Sequence, residues 1–374
     1  MAAEDCDGLP MYIEEDEEEA AAEKQKRRQQ SQKPPFKYSW EIDTPEENAR
    51  WELRRTMMNK LFEFDPKTGS RSYTQVWFVN LITFNLDDET QYGPMRFTDS
   101  LIGGDHMLTD SLNVLCLKIR SSDVGYPINV YGTVIVRDRL DMKCNYIFKR
   151  NRNNCQLVES EGESLILTGP TRGIVLSTDA YFEINLKIKQ DRESEDRQFC
   201  KTLIDVDSAR INDTVKTETT SSWLSEVDLM FSYVKKALEG TIEIRILSGS
   251  SSFYGRVTVC TTDIPSHILL YDSDVHGANT IGNDRVLKLL RHVVSVSVDQ
   301  MLIFHIYPRS GDLNPRIFEF TPQIKGADKV EITCGGHRML VKVTWSILSV
   351  KRGSLEASFG CPGTGYYGPD TVPP

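Results

Sequence analysis

From Ser72 onward apolar and polar residues alternate one by one, and this rhythm confines most of the chain to half-buried β-strands. Leu115, Leu117 and Ile119 alternate with Cys116, Lys118 and Arg120, and Phe182, Ile184, Leu186 and Ile188 with Glu183, Asn185, Lys187 and Lys189. Later, Ile242, Ile244 and Ile246 alternate with Thr241, Glu243 and Arg245, Val294, Val296 and Val298 with Ser295, Ser297 and Asp299, and Val341, Val343 and Trp345 with Lys342, Thr344 and Ser346. Successive side chains of a strand point to opposite faces, so this pattern requires antiparallel sheets with one face buried against another sheet. Turn signals recur about every ten residues, as in a sandwich or barrel. Tyr73 to Phe84, aromatic and β-branched, is also expected to be a strand. The fold class is all-β.

The β region contains an internal echo. Leu117-Lys118-Ile119-Arg120 leads to Tyr131-Gly132-Thr133-Val134 and then to Phe182-Glu183-Ile184, while Ile244-Arg245-Ile246 leads to Tyr254-Gly255-Arg256-Val257 and then to Ile303-Phe304-His305-Ile306. Order and separations agree closely apart from a shorter first link in the second copy, which predicts two similar β modules. The expected divisions are a disordered charged arm at 1–40, an amphipathic helix at 41–66, a first β module at 72–215, a second at 216–350 and a flexible Gly/Pro/Tyr-rich tail at 351–374. Within the helical segment Thr44 suits the N-cap, Pro45 the first helical position and Glu47 the closing position of a capping box. Leu53, Met57 and Leu61 follow at helical spacing, and the pattern stops before Pro66 and Gly69, giving a helix over about 45 to 63 that docks on the β body.

Charge and cysteine usage narrow the setting. The net charge of −10 is concentrated in the first 32 residues, which hold ten acidic against four basic side chains, so the body is nearly neutral and offers nucleic acid no wholesale attraction. The basic residues of that arm, Lys24, Lys26, Arg27 and Arg28, read as part of a solvated tail, with a nuclear signal or an acidic partner as the alternative. Neither a secretory signal nor a membrane-spanning apolar run is evident. The eight cysteines are scattered without a Cys-x-x-Cys pair and read as reduced thiols in an intracellular protein, cytoplasmic or nuclear, where the sequon Asn212-Asp213-Thr214 would stay unglycosylated.

The run YGTVIVRD, the pieces NYIFKRNRNNCQ and LILTGPTRGIVL, then FEINLKIK, ALEGTIEIRIL, LYDS and RHVVSVSV carry a family resemblance over roughly residues 110 to 350. The chain resembles the grass family known as domain of unknown function 6598, whose members are often labelled as similar to a 60 kDa jasmonate-induced protein. That resemblance implies a cereal protein of mainly β structure, linked to stress or defence through members fused to a ribosome-inactivating N-glycosidase domain.

Three constellations could carry chemistry. Glu47, Arg50 and Trp51 have the one-turn spacing that an N-glycosidase needs, but they open a short helix and read as a capping turn. Arg137, Arg139, Lys149, Arg150, Arg152 and Arg172, with Tyr146 and Phe148 interleaved, form the candidate anion- or RNA-binding cluster, to be weighed against a solvated loop paired with Glu159, Glu161 and Glu163. Paired aspartates, Asp138 with Asp141, Asp205 with Asp207 and Asp272 with Asp274, are weak calcium candidates, since loop carboxylates at sandwich ends bind Ca²⁺ and YGTVIVRD faintly resembles a C2 domain. The histidines at 106, 267, 276, 292, 305 and 337 show no ligand spacing, so no metal site is expected, and Gly103 to His106 and Cys334 to His337 suit turns. No phosphate loop, Gly-x-Ser-x-Gly elbow or His-Glu-x-x-His helix is present, and no cofactor is expected. The first reading is a non-catalytic β-sandwich protein that binds a protein, glycan or RNA ligand. The alternatives are an N-glycosidase or accessory of ribosome inactivation and a calcium-dependent membrane-binding module.

Overall fold

The computed structural model describes residues 44–99, 108–211, 214–250, 252–276, 285–311 and 313–348. The charged arm, the C-terminal tail, the turn Gly103 to His106 and the first two residues of the sequon lie outside them. The described residues divide into two units between Arg55 and Thr56.

Thr44 caps helix α1 (Pro45–Leu61): its Oγ1 accepts from the Glu47 amide at 3.2 Å and donates to the Glu47 carboxylate at 3.3 Å. The expected capping residues therefore meet, although Glu47 reaches the hydroxyl rather than the Thr44 amide. Met57, Met58 and Leu61 pack on a cluster of Val76, Val79, Leu81, Met142 and Tyr181, while Leu53 stays exposed. The helix ends at Leu61, two residues short of expectation, because Phe62 starts β1 (Phe62–Asp65), which turns through Gly69 into β2 (Ser70–Tyr73). Tyr73 to Phe84 is not the expected strand. Its amides are satisfied outside any strand ladder, Thr83 and Phe84 by the Asn80 carbonyl and Val76 by the distant Glu183 carboxylate, so its apolar side chains are buried from an irregular path.

The strands that follow build two sandwiches. The first comprises β3 (Asp110–Ser122), β4 (Ile128–Asp138), β5 (Asn145–Arg150), β6 (Gln156–Val158), β7 (Ile174–Leu176), β8 (Asp179–Ile188), β9 (Arg197–Asp207), β10 (Val215–Ser222) and β11 (Ser225–Val234). The second comprises β12 (Ala237–Ser248), β13 (Gly255–Thr261), β14 (Ile268–Asp272), a short helix α2 (Ser273–His276), β15 (Val293–Ser297), β16 (Leu302–Pro308), β17 (Arg316–Phe320), β18 (Gly326–Cys334) and β19 (His337–Ile347). In the first, sheet β10-β11-β3-β7 shares a core with sheet β5-β4-β8-β9, to which β6 adds beside β4. In the second, β18-β19-β12-β15 shares a core with β14-β13-β16-β17. All neighbouring strands are antiparallel and no sheet closes into a barrel.

Apart from the small β6, the two sandwiches use the same strands in the same chain order and the same sheet positions, which is the structural content of the echo in the sequence. The hairpin β10–β11 bonds to β3, so the first set of strands runs to Val234 and the second begins at Ala237, about a hairpin beyond the boundary expected at 215. The alternating aliphatics face the cores as read, with one exception. A bulge opposite Met230/Phe231 shifts the phase of β3, so Leu117 and Ile119 enter the first core while Leu115 packs against the second.

The repeated Tyr-Gly pair has a steric cause. A Cβ on Gly132 would lie 2.1 Å from the Asn185 carbonyl oxygen on β8, and one on Gly255 would lie 2.6 Å from the Tyr307 carbonyl oxygen on β16. Gly132 also holds φ of +128°. Gly132→Ala should therefore destabilise the protein by about 1–3 kcal/mol, as overpacking does, whereas Gly93→Ala, where a Cβ meets nothing, should stay within about 0.5 kcal/mol. Urea unfolding of the two variants measures the difference.

Candidate functional site

The basic side chains expected to form one patch are not gathered. Arg137 is fully buried on β4 and forks onto Glu183 of β8 with bonds of 2.8 and 2.9 Å, its other donors reaching the carbonyls of Met142 and Leu86. Arg172 is equally buried and forks onto Asp138 at 2.6 and 2.9 Å, with Asp141 at 3.2 Å. Arg139 pairs with Asp179 and Lys149 with Glu89, and Lys149 also lies 4.0 Å from the centre of the Tyr146 ring. Arg150 sits over Phe148, itself a core residue, and Arg152 holds Asp196 at 2.8 Å. An incoming phosphate would have to displace in-chain carboxylates at five of these six positions.

The calcium candidates are likewise held by arginine. Besides Arg172, Asp138 accepts the amides of Leu140 and Val175, and Asp141 accepts from Thr90 and the Lys143 amide. Arg309 bridges Asp272 and Asp274 at 2.6 and 2.7 Å. Asp207 caps a short turn through the Ala209 amide. At all three pairs hydrogen bonds or a guanidinium occupy oxygens that Ca²⁺ would need. Glu47 is engaged in its cap, and Trp51 lies under Arg55, with 5.4 Å from the guanidinium carbon to the ring centre.

What the structure does bring together escaped the sequence reading. Val257 and Val259 of β13 point into the core, so Thr258 and Cys260 face outward, and on β16 Phe304 and Ile306 point inward while His305 and Tyr307 face outward. Thr258 pairs with His305 across β13 and β16, which puts Cys260 diagonal to His305. Ile268 pairs with Val259 on the other side, bringing His267 up beside Cys260. The donor atoms of Cys260, His267 and His305 all lie within 4.8 Å of one another. Cys260 is buried, His305 half-buried and His267 exposed. Cys260 Sγ is 3.6 Å from His305 Nε2, and the two imidazoles meet edge to face with centroids 4.6 Å apart. Burial, reinforced by the neighbouring His267, lowers the pKa of His305, and burial raises that of the Cys260 thiol. Both shifts favour the uncharged forms of His305 and Cys260.

This position is duplicated. Counted from the glycine of each Tyr-Gly pair, Cys260 corresponds to Arg137, and His305, opposite Thr258, corresponds to Glu183, opposite Ile135. In the first sandwich the chain itself covers the position, with the Leu86 carbonyl on Arg137 and the Val76 amide on Glu183 at 2.9 Å. In the second, His267 remains exposed.

Two predictions follow from the paired charges. Arg172→Met strands Asp138 as a buried unpaired carboxylate and should cost about 3–5 kcal/mol in denaturant melts, part of which the double change Arg172→Met, Asp138→Asn should recover. The hydrogen bond from Arg152, with help from the Gln190 amide and Tyr131, holds Asp196 well below its ordinary value of 3.8. A depressed carboxylate pKa contributes stability that is present above the ordinary value and lost as pH falls below it, so Asp196→Asn should flatten the acid limb of the stability curve below about pH 4.

No curated protein matches the chain. Among solved structures it is similar to human GIVD cytosolic phospholipase A2, with 8% identity and a TM-score of 0.21, covering 64% of this chain and 33% of that one. It is also similar to the SMP, C2A and C2B domains of extended-synaptotagmin 2, with 8% identity and a TM-score of 0.22, covering 66% and 58%. The chain thus spans about a third of the first and somewhat over half of the second, and likenesses this low carry no argument about what it does. The model of the family described as Domain of unknown function (DUF6598) matches residues 111–343, well over half of the chain and reaching from β3 into β19. This protein belongs to the DUF6598 family.

Proposed function

We propose that the protein acts by binding rather than by catalysis, and that the outward face of the β14-β13-β16-β17 sheet receives its ligand at Cys260, His267 and His305. One observation carries this reading. The same register is covered by the chain's own segment in the first sandwich, whereas in the second it holds three convergent donor side chains, of which His267 is exposed. The rigid sheet beneath fixes two of those donors by backbone pairing, which suits selective binding.

The likeness of its motifs to the cereal family supports a plant protein of stress or defence. The six cysteines among the described residues are free thiols, which supports a reducing, intracellular location. No described helix is long and apolar enough to cross a membrane.

The reading is tested by thermal shift, comparing wild type with the triple variant Cys260→Ser, His267→Ala, His305→Ala across divalent cations, nucleotides and oligosaccharides. At least one ligand should raise the melting temperature of the wild type and not that of the folded triple variant. A panel that never separates the two chains would reject the reading.

A further inference from the structure

We propose that Cys260, His267 and His305 hold a borderline-soft divalent cation, with Zn²⁺ the best fit, and leave its fourth coordination position open to solvent. The proposal rests on the reading that this face is the binding surface, and it names the ligand class.

Donor chemistry comes first. One sulfur and two imidazole nitrogens suit zinc and its neighbours, whereas Ca²⁺ and Mg²⁺ demand oxygen. Geometry agrees. Tetrahedral zinc with bonds of about 2.3 Å to sulfur and about 2.05 Å to nitrogen sets the sulfur and nitrogen about 3.6 Å apart. Cys260 Sγ and His305 Nε2 stand 3.6 Å apart. The third donor lies within 4.8 Å of both, on an exposed ring at the entrance to β14. On binding, the Cys260 proton passes to solvent as the metal–sulfur bond forms, and no electron changes hands.

The surroundings of the two rings supply an independent reason. Ligating histidines characteristically use their second nitrogen in a hydrogen bond that fixes tautomer and ring plane. His267 Nδ1 is 2.9 Å from Thr258 Oγ1, and His305 Nδ1 is 3.4 Å from Tyr307 Oη, so in each ring the hydroxyl lies at Nδ1 and Nε2 is left for the metal. Both hydroxyls project from the outward face that carries the ligands. The arrangement is therefore more than three donors that happen to lie close. It orients the rings as well.

A thiol–imidazole hydrogen bond alone would give the same sulfur–nitrogen distance, so the experiment must read the metal itself. The full-length protein is dialysed against Zn²⁺ and its metal content measured, and Co²⁺ is then added to the metal-free protein. The expected result is one zinc per chain and a thiolate-to-cobalt charge-transfer band, with both lost in Cys260→Ser and the zinc lost in His305→Ala. Thr258→Val should weaken zinc binding by about 10-fold or more while retaining the cobalt band. Cys116→Ser, on the first sandwich, should change neither. Circular dichroism checks that each variant is folded. Substoichiometric zinc, zinc retained in Cys260→Ser, or cobalt bound without the thiolate band would overturn the proposal. Should zinc fail while another ligand still separates wild type from the triple variant, the metal assignment falls and the binding surface stands. Should both fail, both fall.

Discussion

The buried charges at the seam between the two sandwiches are the constraint on which the rest of the structure hangs. Glu239, near the start of β12, accepts the Gly173 amide at 2.6 Å and the Met95 amide at 2.7 Å, tying the second sandwich to two separate stretches of chain. Arg172, the residue before Gly173, is fixed by Asp138 and Asp141, so one continuous network runs from β4 to β12. Beside it Asn113 and Ser295 exchange two bonds, of 2.7 and 2.9 Å, and Ser111 joins Ser295 at 2.7 Å. Hydrophobic contact is nonspecific in register, and a small apolar cluster of Val175, Val234, Ala237 and Leu348 would tolerate sliding. Directional bonds to buried ions do not, and this is how two similar sandwiches acquire one relative placement.

The same network shows why a cluster of arginines in the sequence is a poor guide to an anion site. Arg172 neutralises Asp138 and Asp141, which looked like calcium ligands, while Arg137 and Arg139 are taken up by Glu183 and Asp179 in the folded chain. Opposite charges on neighbouring strands of a buried sheet find one another before they find a ligand, because leaving either unpaired costs more than any weak external contact returns.

The legible part of the fold was what repeats at short range. Alternation at Phe182 to Ile188, Ile242 to Ile246 and Val341 to Trp345 identified core strands directly, and the Tyr-Gly echo identified equivalent ones. Thr44 and Glu47 announced the helix start. The bulge that turns Leu115 outward was not legible, since nothing in a strand's own residues records an extra residue against its partner. Tyr73 to Phe84 misled because burial of aromatics from a loop and from a strand look alike in composition. Cys260, His267 and His305 were invisible for a different reason. Their proximity is created by the pairing of β13 with β14 and with β16, and the spacing between β13 and β16 in the chain reflects the length of intervening segments rather than any ligand rule. The only available signal was indirect: the echo aligned β13 and β16 with β4 and β8, and outward parity would then have set Cys260 near His305.

That alignment has a consequence for how such a chain can change. Because Arg137–Glu183 and Cys260–His305 occupy equivalent places, one copy of the scaffold uses the place to anchor its own covering segment, and the other is relieved of that duty. Outward positions on the relieved copy can drift without disturbing the aliphatic interior that both copies need. Gly132 and Gly255 are needed by both copies, whereas the outward place is put to a different use in each, a division of labour in which duplication, rather than a new fold, supplies the room for a new specificity.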